Sequence, residues 1–232
     1  MEIMKVDNVT KRYMTKTVLN GVSMTFEQGK VYGLFGPNAS GKTTLMKIFS
    51  GLTQASSGSV EVQGSPLGIA TKRKVSYIPT ANPLPMWMKV KNCVDYYADL
   101  FEDFNRQRAE ELLEMMGITR EQKVNTLSTG MLGRLKLVLG ISRDVPLYIL
   151  DEPLNGLDSI SRDKVISLIL DACQEDRTFL ISSHLINELE NILDEVIFIE
   201  RGKVVLTGNA ETLRIEQNVS VNDLYKEVFQ NA

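Results

Sequence analysis

The sequence predicts an α/β fold: a mixed, mostly parallel sheet, an antiparallel β-rich segment near the amino end, and a helical insertion in the middle. Three observations carry this. Short apolar runs alternate with helical segments through the second half of the chain. A glycine-rich stretch, GPNASGKT, lies between an apolar run and a helix-forming run. Residues 83–145 show helical periodicity without strand signals.

Residues 2–7, 18–26, 30–35 and 58–63 carry β-branched and aromatic side chains in partial alternation, separated by Gly, Asn and Gln turns. Within them, Val31–Phe35 (VYGLF) is an apolar run stopped by Gly36 and Pro37, and a helix is expected over Lys42–Phe49. Pro79, Pro83 and Pro85 then mark a break. VKNCVDYYADLF and RQRAEELLEMMG read as helices of an insertion, followed by a helix over about Thr129–Ile141. Alternation returns with LYILDE (147–152), the helix SISRDKVISLILDAC and the apolar run TFLISSH (178–184). LINELENIL reads as a helix, EVIFIERGKVVLTG as a hairpin turning at Arg201–Gly202, and about 210–230 as helical. The chain therefore reads as one domain, 1–232, whose core (1–82 and 146–232) is interrupted by a helical subdomain at about 83–145.

Composition narrows the class. With 43% hydrophobic and 24% charged residues the chain is an ordinary globular one. A net charge of −3 and the absence of a long basic run give no support to nucleic-acid binding. Cys93 and Cys173 have no metal-ligand spacing and are expected to be buried, reduced thiols. MEIMKVDN lacks the pattern of a signal peptide, and no apolar run approaches the ~20 residues of a membrane span. The expected place is the cytoplasm, with any work at a membrane done through a partner.

GPNASGKT (Gly36, Pro37, Asn38, Ala39, Ser40, Gly41, Lys42, Thr43) matches the phosphate-loop pattern G-x-x-x-x-G-K-[ST], and Thr44 adds a second hydroxyl. The glycines let backbone amides converge on a phosphate, and the following helix adds its positive end. Lys42 would reach the terminal phosphates and Thr43 would bind Mg²⁺. Chance produces this pattern in roughly one chain in a hundred of this size, and the strand before and helix after raise its weight.

LYILDE places Asp151 and Glu152 at the end of an apolar strand, the edge at which open α/β sheets bind ligands. Asp151 suits the Mg²⁺ shell through water, and Glu152 suits a base that orients or deprotonates water. Alone, an acidic strand end before Pro153 is only a turn; the upstream phosphate loop changes the balance. The sole histidine, His184, ends another apolar strand at the same edge, where an imidazole can reach a γ-phosphate oxygen.

The order of these motifs resembles the ATP-binding subunits of ABC transporters over nearly the whole chain. GPNASGKTT resembles the Walker A segment, LYILDE the Walker B segment, NGLD (155–158, with Asp158) the D-loop, and His184 the switch histidine. Tyr13 resembles the aromatic that stacks on adenine. LSTGM (127–131) resembles the signature LSGGQ, with Ser128 and Gly130 as the groups facing nucleotide and Thr129 and Met131 as departures. The resemblance implies the ABC ATPase fold (a P-loop NTPase, RecA-like core with an antiparallel β subdomain and a helical subdomain), ATP and Mg²⁺ as ligands, and ATP hydrolysis. It also implies a sandwich dimer with a second ATPase subunit, and integral membrane permease subunits holding the chain at the inner face of the cell membrane. Where the family has a glutamine touching Mg²⁺, this chain has Thr80, whose shorter, β-branched side chain calls for a bridging water. Met86, Trp87 and Met88 just beyond read either as core or as a groove for a permease helix. LSTGM and LVLGISRD resemble ATPases of drug, antibiotic-peptide or bacteriocin exporters. Soluble ABC ATPases of translation or DNA repair are one alternative, disfavoured by the single domain and short insertion; an importer ATPase is another, which LSTGM and LVLGISRD resemble less. A P-loop kinase or GTPase leaves LSTGM, NGLD and His184 unexplained.

Overall fold

Burial patterns sort the strands into two sheets. The structure, a computed structural model, describes residues 1–173 and 177–230. β1 (Glu2–Tyr13) and β2 (Lys16–Glu27) pair antiparallel, and β4 (Ser57–Val62) and β5 (Ser65–Pro66) extend them into the order β2-β1-β4-β5. β1 buries Ile3, Met4, Val6 and Val9 and β2 buries Leu19, Val22 and Phe26, as in a sheet with one wet face whose alternation is broken by register shifts. Both leading strands run further than the sequence suggests, because Thr10–Tyr13 and Lys16–Thr17 continue the ladder without apolar residues at every second position.

The second sheet has the order β10-β9-β3-β8-β7-β6. Its centre is β3 (Val31–Phe35), β7 (Leu147–Asp151) and β8 (Thr178–Ser182), whose residues are all buried. Parallel strands covered on both faces read as such continuous apolar runs. β6 (Val75–Ile78) closes one edge in parallel with β7. The hairpin β9 (Glu195–Glu200) and β10 (Lys203–Asn209) closes the other, β9 parallel to β3 and β10 antiparallel to β9, so the sheet is mixed as expected.

The helix α1 (Lys42–Phe49) buries Leu45, Met46, Ile48 and Phe49 between the two sheets, with Phe49 edge-on to Phe26 at 5.7 Å. After α2 (Ile69–Lys72), the middle of the chain holds α3 (Val90–Leu100), α4 (Arg106–Met115) and α5 (Thr129–Ile141). α6 (Ser159–Cys173), α7 (Ile186–Leu189), α8 (Ala210–Gln217) and α9 (Val221–Gln230) follow. Two helical expectations are shortened. The segment 185–193 keeps only one turn, α7, and 210–230 is two helices divided at Asn218, which ends α8 in the left-handed conformation. Cys93 is buried, and burial pushes its thiol up to about 11; Cys173 is only half-buried, because it ends α6 at the rim, its thiol 3.5 Å from the Gly29 carbonyl.

Two features dock the helical segment onto β6. Gly140 of α5 lies so close to Ile78 that a Cβ would meet its Cδ1 at 2.4 Å, and Ser76 Oγ donates to the Gly140 carbonyl at 2.8 Å. Arg143, just past α5 and 5% exposed, donates to both Asp103 oxygens (2.8 and 2.7 Å) and to the Val75 carbonyl (2.9 Å), with its guanidinium 4.0 Å from the Phe101 ring centre. An alanine there strands a partly buried carboxylate and a strand-end carbonyl. Arg143→Ala should cost about 3 kcal/mol in urea unfolding, and Arg143→Lys should recover only part of it, since an ammonium cannot make the two-pronged contact.

A candidate active site at the carboxyl edge of the sheet

Parallel pairing in register brings the decisive residues together. Asp151 lies opposite Ser182, Leu34 is also opposite Ser182, and Ile78 is opposite Leu150. The ends of β3, β6, β7 and β8 therefore open on one edge. A cleft of about 730 Å³ lies there, lined by the stretch Asn38–Thr44 and by Thr80, Asp151, Glu152 and His184.

The glycine-rich loop is shaped by contacts a side chain would prevent. A Cβ on Gly36 would lie 2.1 Å from the Ile199 carbonyl oxygen, and Gly41 has φ of 112°. Ala39 also sits in the left-handed region. The turn between β9 and β10 holds the loop from behind, Gly202 N–H donating to the Ser40 carbonyl at 2.9 Å. α1 starts straight after Gly41 with no side-chain cap, so its first amides face the cleft's end as unpaired donors. Ser40 Oγ is buried and has no hydrogen-bond partner among the described residues. Amides without partners, an orphaned hydroxyl and a cradle closed to side chains fit a phosphate chain.

Lys42 Nζ folds over this loop, donating to the carbonyls of Gly36 (2.7 Å) and Pro37 (3.2 Å). Burial lowers its pKa, and Glu152 and Asp151 oppose that shift. Asp151, 3% exposed, is ringed by hydroxyls: Ser182 Oγ at 2.8 Å, Tyr77 OH at 3.3 Å and Thr43 Oγ1 at 3.4 Å. Burial first, and then the Asp151 charge, raise the Tyr77 pKa, which keeps that phenol a donor. A hydroxyl and a carboxylate are hard oxygen donors, the ligand type Mg²⁺ takes beside phosphate oxygens.

Glu152 adopts φ of 55°, unusual for a residue with a side chain, and its N–H donates to the Ser182 carbonyl at 3.0 Å. That turn aims the carboxylate at His184. Oε2 is 3.0 Å from His184 Nδ1 and accepts from the His184 N–H at 3.3 Å. Thr80 lies in the cleft wall, but its hydroxyl donates to the Asp151 carbonyl at 2.9 Å.

The remaining expected residues lie outside the cleft lining. Ser128 is the N-cap of α5, its Oγ accepting from Met131 N–H at 3.2 Å. A Cβ on Gly130 would meet the Gly156 carbonyl at 2.7 Å, so Gly130 is required inside this chain as well as at any outer surface. Thr129, a departure from the signature it resembles, turns its methyl toward Gly156 within the same chain. Asp158 caps α6, accepting from Ser161 N–H (2.9 Å) and Ser161 Oγ (2.8 Å), bonds that hold its carboxyl below the usual range. Tyr13 ends β1 opposite Lys16, which does line the cleft; its ring is 47% exposed and the Lys11 ammonium lies 4.9 Å from its centre. Not expected from the sequence are Tyr77 and Ser182, which donate to Asp151, and Arg201, which also lines the cleft. The first two could have been found by extending the strand register to Asp151.

A family model described as ABC transporter matches residues 19–155. The chain belongs to the ABC transporter family. It is similar to the lantibiotic transport ATP-binding protein SrtF of Streptococcus pyogenes, 34% identical over 231 residues, 99% of this chain and 96% of that one. It is 33% identical over 208 residues to an uncharacterized ABC transporter ATP-binding protein of Nostoc, covering 86% of this chain but only 62% of that relative's length. A solved ATP-binding subunit of an ABC transporter superposes with a TM-score of 0.89, covering 97% and 98% of the two chains at 24% identity. A dimeric ATP-binding cassette in a post-hydrolysis state, bound to ADP and Pi, gives 0.81 over 89% and 98% at 22% identity. The α/β architecture described above is thus the ABC ATPase fold, and the chain is an ABC ATP-binding subunit with the ATPase domain of that family. Gly36→Ala should raise the Kd for ATP at least tenfold, about 1.4 kcal/mol, in equilibrium titration, because the loop must retreat from Ile199 to admit the methyl.

Proposed function

We propose that this ABC ATPase drives export of drugs, antibiotics or peptides, closing on ATP as a dimer and opening after hydrolysis. One observation carries the catalytic part: Lys42, Thr43, Asp151, Glu152 and His184 line a single cleft around a loop built for phosphate. The export part is supported by the near full-length likeness to a lantibiotic transport ATP-binding protein. A linearmycin resistance ATP-binding protein of Bacillus subtilis, 28% identical over 91% of this chain and 70% of that one, supports the same reading.

On this reading the amides of residues 39–44 and Lys42 bind the phosphates of ATP, Lys42 exchanging its two loop carbonyls for phosphate oxygens. Thr43 and, through water, Asp151 would hold Mg²⁺, which neutralises phosphate charge. Glu152 is the general base, oriented by its hydrogen bonds with His184. In turn, His184 has an exposed ring that can swing to the terminal phosphate. Tyr13 supplies the adenine face beside Lys16. Thr80 keeps its hydroxyl on the Asp151 carbonyl and acts on the metal shell only through water. Ser128 and Gly130 of a second copy or a related subunit complete each site with the amino end of α5, while Asp158 shapes the loop between the two sites.

Coupling to a membrane falls to other chains, since no helix of the described residues is long and apolar enough to cross one. Trp87, 73% exposed, and Met86, 49% exposed, offer an apolar contact for an integral permease subunit, with Met88 packed inward beneath them. The chain would then sit at the cytoplasmic face of the membrane, held there by its permease.

Glu152→Gln should reduce steady-state phosphate release more than a hundredfold and accumulate dimers with ATP bound, visible by light scattering after size exclusion. Unchanged turnover would remove Glu152 from the base role. A tagged chain extracted in mild detergent should bring down a multi-span membrane protein; recovery of ribosomal or DNA-bound proteins alone would sink the transport reading.

A further inference from the structure

Lys136 is out of place by composition. It lies on α5 between the fully buried Leu135 and Leu137, in a helix otherwise apolar from Leu135 to Ile141. An ammonium in such surroundings loses water and needs strong acceptors in return. It has two: Nζ donates to the Pro79 carbonyl at 2.7 Å and to the Thr80 carbonyl at 2.7 Å. These carbonyls follow the last ladder pair of β6, Ile78 with Leu150, so the strand offers them no partner. Burial lowers the Lys136 pKa, and the nearby Asp151 charge opposes that shift. The same residue closes a cavity of about 150 Å³ that Thr80, Asp151, Glu152 and Thr129 also line.

Thr80 is therefore held from two sides. Its hydroxyl is bound to the end of β7 at Asp151, and its carbonyl is bound to α5. α5 begins at the LSTGM segment, about 12 Å away along the helix axis at ~1.5 Å per residue. It is also seated on β6 through Gly140, Ser76 and Ile78.

We propose that Lys136 is a positioning residue that clamps the Pro79–Thr80 turn to α5, so that the helix end bearing Ser128 and the strand end bearing Asp151 move as one body. Thr80 is too short to report on the metal by reaching it; the clamp gives this turn another way to transmit the state of the edge. It transmits through two side-chain-to-main-chain hydrogen bonds, Thr80 Oγ1 to the Asp151 carbonyl and Lys136 Nζ to the Thr80 carbonyl, and from there along the helix.

The proposal rests on the ATPase reading for its kinetic arm and is independent of it for the other. Lys136→Met keeps the stem and removes the donor. Without nucleotide, amide exchange at residues 80–82 and 129–132 should speed up together in this variant, with the rest of the chain unchanged. In steady-state hydrolysis, kcat should fall about tenfold with KM for ATP within about twofold, and Lys136→Arg should restore most of it. The double variant Lys136→Met/Thr80→Val should lose no more than the worse single variant, as links in one chain of bonds do. If Lys136→Met does not fold, Lys136→Gln, which keeps one donor, takes its place. Exchange that rises at only one of the two segments, a kcat that does not change, an increase in KM alone, or full additivity with Thr80→Val would each overturn the clamp. A kcat loss that merely follows the unfolding midpoint, unrelieved by arginine, would do the same. Should the unsubstituted chain fail to hydrolyse ATP, the ATPase reading falls, and the exchange comparison still decides the clamp.

Discussion

The carboxylate of Asp151, nearly out of contact with water at the end of β7, is the constraint around which this edge is built. A buried charge is costly unless it is hydrogen-bonded on every side open to it. Ser182, Tyr77 and Thr43 supply hydroxyls from β8, β6 and α1; the parallel register of the sheet places β6 and β8, and α1 follows the glycine-rich loop after β3. The main chain beside it is engaged as well, through Thr80 on the Asp151 carbonyl and Ser182 on the Glu152 amide. A carboxylate held this way keeps its direction in an apolar sheet. Its charge also acts on the two partly desolvated lysines, Lys42 and Lys136, opposing the lowering that burial causes in each.

From this node the chemistry follows in short steps. Glu152 is one residue on, and its left-handed backbone turns its side chain away from the sheet toward His184. Asn155–Asp158 carry the chain round to meet Thr129 and Gly130, so the loop after the acidic pair and the start of α5 are built against each other within one chain. Glycine at 156 and 130 is a packing demand here, since the Gly130 hydrogen faces a carbonyl oxygen. The interlock explains how LSTGM tolerates threonine at its third position. The methyl is absorbed inward, and Ser128 still caps the helix whose amino end the dimer reading needs.

Much of this was legible in the sequence because it is local. Gly36–Thr43 specifies its own loop, LYILD its own buried strand, and Ser128 its own cap; each signal lies within a few residues of its effect. The strand–helix order was sufficient for the mixed sheet. What stayed hidden is long-range. Tyr77, Ser182 and Lys136 act on groups 74, 31 and 56 or 57 residues away; the first two show only once strand register is carried to Asp151, and Lys136 shows locally as a cation in an apolar run but not by its partners. Thr80 was legible as a departure, but the partner of its hydroxyl was not, because that depends on how closely β6 and β7 end together. Trp87 was open between core and surface, and only its exposure in the folded chain decides it. Cys173 looked like core by type and lies at a helix end instead.

On the proposed ATPase reading, the buried Asp151 carboxylate serves hydrolysis and not stability. Asp151→Asn preserves shape and one acceptor while removing the charge, so activity and stability should part ways. Phosphate release and the unfolding midpoint, measured on the same preparation, test this directly. Hydrolysis should fall by a hundredfold or more, with a midpoint unchanged or raised. Retained hydrolysis, or a loss of activity matched by a collapse in stability, would contradict it.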